Sequence, residues 1–125
     1  MLLKNIFTKM LIKASPSSFE TLLNLHLAVE LSFEANVQVS YKDENDYLKI
    51  KRFRSNSWNI DFFKERDLVF PLEMKVFIYT PNLSKDEEVK LRVKMDGNLR
   101  EEKTFVIPME NEYAGWFELN LQSQN

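Results

Sequence analysis

From Leu23 to Tyr41 every second residue is apolar: Leu23, Leu25, Leu27, Val29, Leu31, Phe33, Ala35, Val37, Val39 and Tyr41. The residues between them are mostly polar. A period of two marks a strand with one buried face and one wetter face. The run is longer than the roughly 3–10 residues of an ordinary strand. A break or sharp bend is therefore expected near Glu34-Ala35-Asn36. Ser17-Ser18-Phe19-Glu20 satisfies a capping box and competes for a short helix just upstream. Beyond Leu25 the alternation prevails.

More strands follow at close spacing. Lys42-Asp43-Glu44-Asn45-Asp46 reads as a polar turn, with Tyr47 to Phe53 returning as the second arm of a hairpin. Ser55-Asn56-Ser57 leads into a separate strand, Trp58 to Phe63, with Trp58, Ile60 and Phe62 on one face. Leu72, Met74, Val76 and Ile78 form the next inward row, and Pro71 belongs at the start of that strand or on an edge. Val89, Leu91, Val93 and Met95 precede Asp96-Gly97-Asn98, a hairpin signal. Leu99, Phe105 and Ile107 lie on the return strand, and Phe117, Leu119 and Leu121 make the last one. Arg100 to Thr104 are polar on both faces, so the hairpin tip, roughly Arg92 to Lys103, either projects from the body as a solvated arm that a partner chain orders, or is the wet tip of an ordinary long hairpin.

Met1 to Ala14 has a different period. Leu2, Leu3, Ile6, Phe7, Met10, Leu11 and Ala14 recur every three or four residues, which predicts an amphipathic helix. Ser15-Pro16 stops it. Three lysines and no acid before Glu20 would also suit an organelle-targeting segment. The reading kept is a helix that covers an open end of the sheet or docks onto a partner chain. Lys9 and Lys13 interrupt any secretory core, so no secretory signal is evident. The expected fold is mostly β: a two-layer antiparallel β-sandwich of seven or eight strands, preceded by one N-terminal amphipathic helix. Residues 1–16 are the helix and linker, and residues 17–125 the sandwich domain.

Composition narrows the chemistry. A chain of 125 residues, 44% hydrophobic with ten phenylalanines, fits one domain with a core of its own. The net charge of −2 gives no bulk attraction to nucleic acid or to acidic surfaces. No run approaches the roughly 18 apolar residues needed to span a bilayer. With no cysteine and one histidine, His26, nucleophilic catalysis and zinc lack their usual ligands and bases. Two glycines, Gly97 and Gly115, cannot make a phosphate-cradling loop. Asp43, Glu44 and Asp46, and Asp61, Glu65 and Asp67, could in principle hold calcium, but interleaved Lys42, Lys64 and Arg66 argue for solvated turns.

Three surfaces remain as candidate sites. Leu3, Phe7 and Leu11 on the helix, with Arg100, Glu101 and Lys103 on the hairpin, are the expected protein-partner contacts. Tyr47, Phe53 and Trp116 would suit a sugar ring if they share one face. Lys49, Lys51, Arg52 and Arg54, interleaved with aromatics, could bind single-stranded nucleic acid, although such residues also protect a strand edge. Phe33 to Tyr41 resembles a strand of glycogen- and starch-binding modules, a likeness of nine residues on which no family is assigned. The expectation is a non-catalytic structural or assembly protein that binds other chains, or copies of itself, through its helix and strand edges. It needs no cofactor and no metal, and works in the cytoplasm or within a particle assembled inside the cell, not at a membrane. The alternative is a small carbohydrate-binding module; single-stranded nucleic-acid binding comes behind it.

Overall fold

The computed structural model describes residues 21–80, 82–109 and 114–123. The protein is mostly β. Its elements, in order, are β1 (Leu22–Lys42), β2 (Leu48–Glu65), a single helical turn α1 (Arg66–Val69), β3 (Leu72–Tyr79), β4 (Glu87–Met95), β5 (Asn98–Ile107) and β6 (Ala114–Leu121). The expected N-terminal helix, its linker and the capping box fall outside the described residues.

The alternating run is one continuous strand at the centre of a six-stranded antiparallel sheet. One edge of β1 pairs with β2 from Leu22 to Lys42. The other edge is divided: β4 lies beside Leu25–Leu31, and β3 beside Asn36–Ser40. β5 then extends the sheet from β4, and β6 extends it from β3.

The bend comes a few residues earlier than expected. Glu30 pairs with Ser57 and Ala35 with Ser55, so Leu31 to Glu34 face a single residue of β2, Asn56. Extra length in one strand of a pair bends both. Ser32 fastens the bend to the start of β4: its hydroxyl donates to the Glu87 carboxylate at 2.7 Å and accepts from the Glu88 amide at 2.7 Å. The sheet folds over at this point and nearly closes on itself. Tyr41 lies opposite Lys49 in the hairpin, yet its ring is 5.9 Å from Phe62 and 5.7 Å from Trp58. At the far margin Phe105 of β5 meets Phe117 of β6 at 5.1 Å. The Phe117 ring lies over Gly115, where a Cβ would come within 2.9 Å of it.

The bulge also corrects the strand count. Across it the core-facing residues of β2 change parity, from Phe53 and Ser55 to Trp58, Ile60 and Phe62. A parity change without a break makes one 18-residue strand look like two. Among the described residues, six strands in one sheet therefore stand where seven or eight in two layers were expected.

The inward rows meet in a single core. Val29, Val39, Val76, Ile78, Val89, Leu91, Val93 and Leu119 are wholly buried. Each such side chain stabilises the fold by about 1.5–3 kcal/mol relative to exposure. Pro71 stands just before β3, as its missing amide hydrogen requires.

The β4–β5 hairpin does not project. β4 pairs with β1 up to Met95, opposite Leu25. The two-residue turn has positive φ at both Asp96 and Gly97, as a type I′ hairpin needs. Asp96 ties this turn down: its amide donates to the Asn24 carbonyl at 2.8 Å, and its carboxylate accepts from the Asn24 amide and from Arg66. The polar stretch Arg100 to Thr104 has a simpler cause than an arm. β5 is the outermost strand of its half of the sheet, where both faces are partly wet.

A second tie holds the two ends of the long hairpin together. Lys64, near the end of β2 and 5% exposed, donates to Asp46 in the β1–β2 turn at 3.1 Å. That hydrogen bond, with the Lys64 charge, holds the Asp46 carboxyl below its usual range. The Asn24 amide and Arg66 do the same for Asp96. A carboxyl with a depressed folded pKa contributes stability above its unfolded pKa, and loses it as pH falls through the folded value. Replacing Asp46 with Asn should lower the melting temperature by several degrees at neutral pH, because Lys64 stays buried without its partner. Adding Lys64→Met should recover most of that loss. In acid, below the ordinary carboxylate range, the wild-type and Asp46→Asn melting curves should converge.

Candidate binding surface

Strand alternation sorts the polar and aromatic side chains into two outer faces of opposite character. On the half built from β4, β5 and the first half of β1, cross-strand neighbours are charged and paired. Arg92 of β4 reaches Glu102 of β5 at 2.9 Å and Glu30 of β1 at 3.3 Å. These two carboxylates raise the Arg92 pKa and hold its guanidinium charge. His26 Nδ1 lies 3.0 Å from Asp61 Oδ1 on β2. This histidine is thus locally bonded on a wet face, as its polar parity implied.

The other half is different. One row runs across four strands as Arg52, Gln38, Phe77 and Trp116, and the next as Arg54, Asn36 and Tyr79. Trp116 is 61% exposed and Tyr79 49%. The Phe77 ring lies 4.6 Å from the Trp116 ring, tilted by 57°. Arg52 Nε donates to Gln38 Oε1 at 2.9 Å, and Arg54 lies 3.5 Å from Glu34. Three aromatic rings beside two arginines and two amides thus share one outward surface.

The proposed sugar platform of Tyr47, Phe53 and Trp116 is not assembled. Trp116 points outward, as its parity predicted. Phe53 has core parity and stacks on Trp58 at 6.3 Å, while Tyr47 lies at the hairpin turn, where its amide donates to Asp43. The aromatics that do join Trp116 are Phe77 and Tyr79. The signal for them was present in the sequence: both occupy the polar parity of β3, between Val76, Ile78 and their neighbours.

The basic stripe is divided in the same way. Lys49 and Lys51 share the face of Phe53, and Arg52 and Arg54 the opposite one. Lys49 lies 3.7 Å from Asp43. The four cations within six residues of one strand therefore make no single phosphate-binding patch. Arg100, Glu101 and Lys103 sit on β5, with the Arg100 guanidinium 5.9 Å from the Phe70 ring centre. Leu3, Phe7 and Leu11 fall outside the described residues.

The acidic turns are occupied by internal work. Asp43 is buried and accepts from the Asn45 and Tyr47 amides, both at 2.9 Å. Burial, then the Asp43 and Glu44 charges, push the Tyr41 phenol pKa up and keep it protonated. Among the described residues no three His, Asp or Glu side chains gather as metal ligands, and no helix is long and apolar enough to cross a membrane. A cavity of about 270 Å³ lies between the two halves of the folded hairpin, lined by Leu25, Tyr41 and Phe62 and by Lys42, Lys64 and Lys75. Lys64 is taken by Asp46, and Glu73 also lines the space. No protein-family model matches the chain, and no curated protein is significantly similar to it.

The aromatic face should be separable from the core by mutation. Trp116→Ala removes an exposed ring and its contact with Phe77, and should cost no more than about 1.5 kcal/mol. Ile78→Ala, one residue inward on the paired strand, should cost about 2–5 kcal/mol. Denaturant unfolding of the two variants checks this. Equal losses would mean that the Trp116 face is packed in the free protein.

Proposed function

We propose that the protein is a non-catalytic module that binds other protein chains, with the outer face of β3 and β6 as its principal contact. The observation that carries this reading is the outward cluster of exposed Trp116 and Tyr79 and half-buried Phe77, in two adjacent rows with Arg52 and Arg54. Tryptophan, tyrosine and arginine dominate the energetics of protein interfaces. Leaving such rings in water adds little to the stability of the free protein, whereas burying them against a partner is favourable. The apolar stripe at Leu3, Phe7 and Leu11 and the β5 residues Arg100, Glu101 and Lys103 are secondary contacts in this account. An assembly role in the cytoplasm, or in a particle built there, fits a chain without cysteine.

A small carbohydrate-binding module is the second reading. Its support is the placement of the Gln38 and Asn36 amides in the same rows as the Trp116 and Tyr79 rings, since sugars need both a stacking surface and hydrogen-bonding groups beside it.

One comparison separates the two. The wild-type chain, the Trp116→Ala, Tyr79→Ala double variant and a Lys90→Ala control on the opposite outer face are each used as bait and run through polysaccharide-containing gels. The protein-binding reading expects a stoichiometric partner that the double variant loses by tenfold or more in affinity (about 1.4 kcal/mol) and the control keeps. Retardation by a polysaccharide, lost in the same double variant, would favour the sugar reading. A partner held equally by all three chains would remove the aromatic face from the account.

A further inference from the structure

β2 has a second edge. Its partner, β1, covers one side from Leu48 to Glu65, and among the described residues no strand pairs with the other. An open edge of this length is a template for another strand, and proteins normally shorten, cover or charge such edges. Here the charge is not spread evenly. The first half of β2 carries Lys49, Lys51, Arg52 and Arg54 and no acid, whereas the second half carries Asp61 and Glu65 against a single cation, Lys64.

That asymmetry is self-complementary when two copies run antiparallel. We propose that β2 pairs with β2 of a second copy of this chain, about a two-fold axis between Asn56 and Ser57. The register follows from the bend. β2 changes the parity of its core-facing residues between Ser55 and Trp58. Two bent strands can lie side by side only if they bend at the same place and towards the same side. A two-fold axis at the centre of the parity change meets both conditions.

In this register the outer-face residues meet outer-face residues throughout. Arg52 lies opposite the second copy's Asp61, and the contact occurs twice. Ile50 is 45% exposed and has apolar surface to bury. Arg52 uses Nε for Gln38 and Asp61 uses Oδ1 for His26, which leaves the terminal guanidinium nitrogens and Oδ2 to meet across the axis. On the inner side Lys49 faces Lys64, the one like-charged pair. Each of these lysines brings its own carboxylate, Asp43 or Asp46. The contact continues the sheet through the dimer and leaves the Trp116 face of each copy open, so it adds a self-association surface to the partner-binding one proposed above.

Charge exchange tests the register. Sedimentation velocity over a range of concentrations should show a monomer–dimer equilibrium for the wild-type chain. Arg52→Asp and Asp61→Arg should each weaken the dimer by roughly tenfold or more, because each places like charges together twice. The double variant restores opposite charges across the axis and should regain dimerisation to within about threefold of wild type (about 0.65 kcal/mol). Hydrogen exchange should slow across residues 48–63 as concentration rises. The Trp116→Ala, Tyr79→Ala chain should dimerise like wild type, so failure of the aromatic-face reading leaves this one standing. Three results would overturn the proposal: a monomer at every concentration, a dimer indifferent to both single changes, or a dimer lost with Trp116 and Tyr79.

Discussion

The structure depends on a single strand that serves two halves of one sheet. β1 satisfies its backbone against β2 along one edge and against β4 and β3, in succession, along the other. A strand of that length cannot remain straight and also bury both halves of its apolar face in one small core. The bulge at Leu31 to Glu34 resolves the conflict, because it turns the strand without interrupting its alternation. Every odd-numbered side chain from Leu23 to Tyr41 keeps core parity across the turn, and the core then fills from two directions.

Polar groups hold the folded geometry at its three weakest places. Ser32 joins the bend to β4, Asp96 joins the distant hairpin turn to the start of β1, and Lys64 joins the end of β2 to the β1–β2 turn. The first two fasten the two ends of the β1–β4 pairing, and only the Lys64 contact needs the hairpin to have folded over. Aromatic rings reinforce the same closure, with Tyr41 against Phe62 within the hairpin and Phe105 against Phe117 at the margin. The outer faces are left to differ. One is cross-linked by ion pairs around Arg92, and the other keeps Trp116 and Tyr79 in water.

Periodicity made much of this legible in the sequence. The inward rows of β1, β3, β4 and β6 and the outward Trp116 follow from alternation, and the Asp96-Gly97 turn from its two residues. What alternation does not encode is pairing. Tyr47–Phe53 and Trp58–Phe63 look like separate strands because a bulge on β1 shifts the parity of β2. The polar run at Arg100–Thr104 looks like a free arm because the sequence does not say that its neighbour β4 is docked on β1. The candidate site was half visible for the same reason. Parity marks Trp116, Phe77 and Tyr79 as outward, but only the pairing of β3 with β6 makes them neighbours, and only β1 brings Arg52 and Gln38 into their row.

The folded-over hairpin is the central claim, and the contact between Tyr41 and Phe62 reports on it directly. In a straight hairpin Phe62 would lie beside Leu25 and Tyr41 beside Lys49, about 50 Å apart at roughly 3.3 Å per residue. In the folded sheet their ring centres are 5.9 Å apart. Nuclear Overhauser contacts between the Tyr41 ring and the rings of Phe62 and Trp58, measured on the full chain, should therefore be strong. Their absence from a folded chain, with β1–β2 contacts intact, would contradict the account.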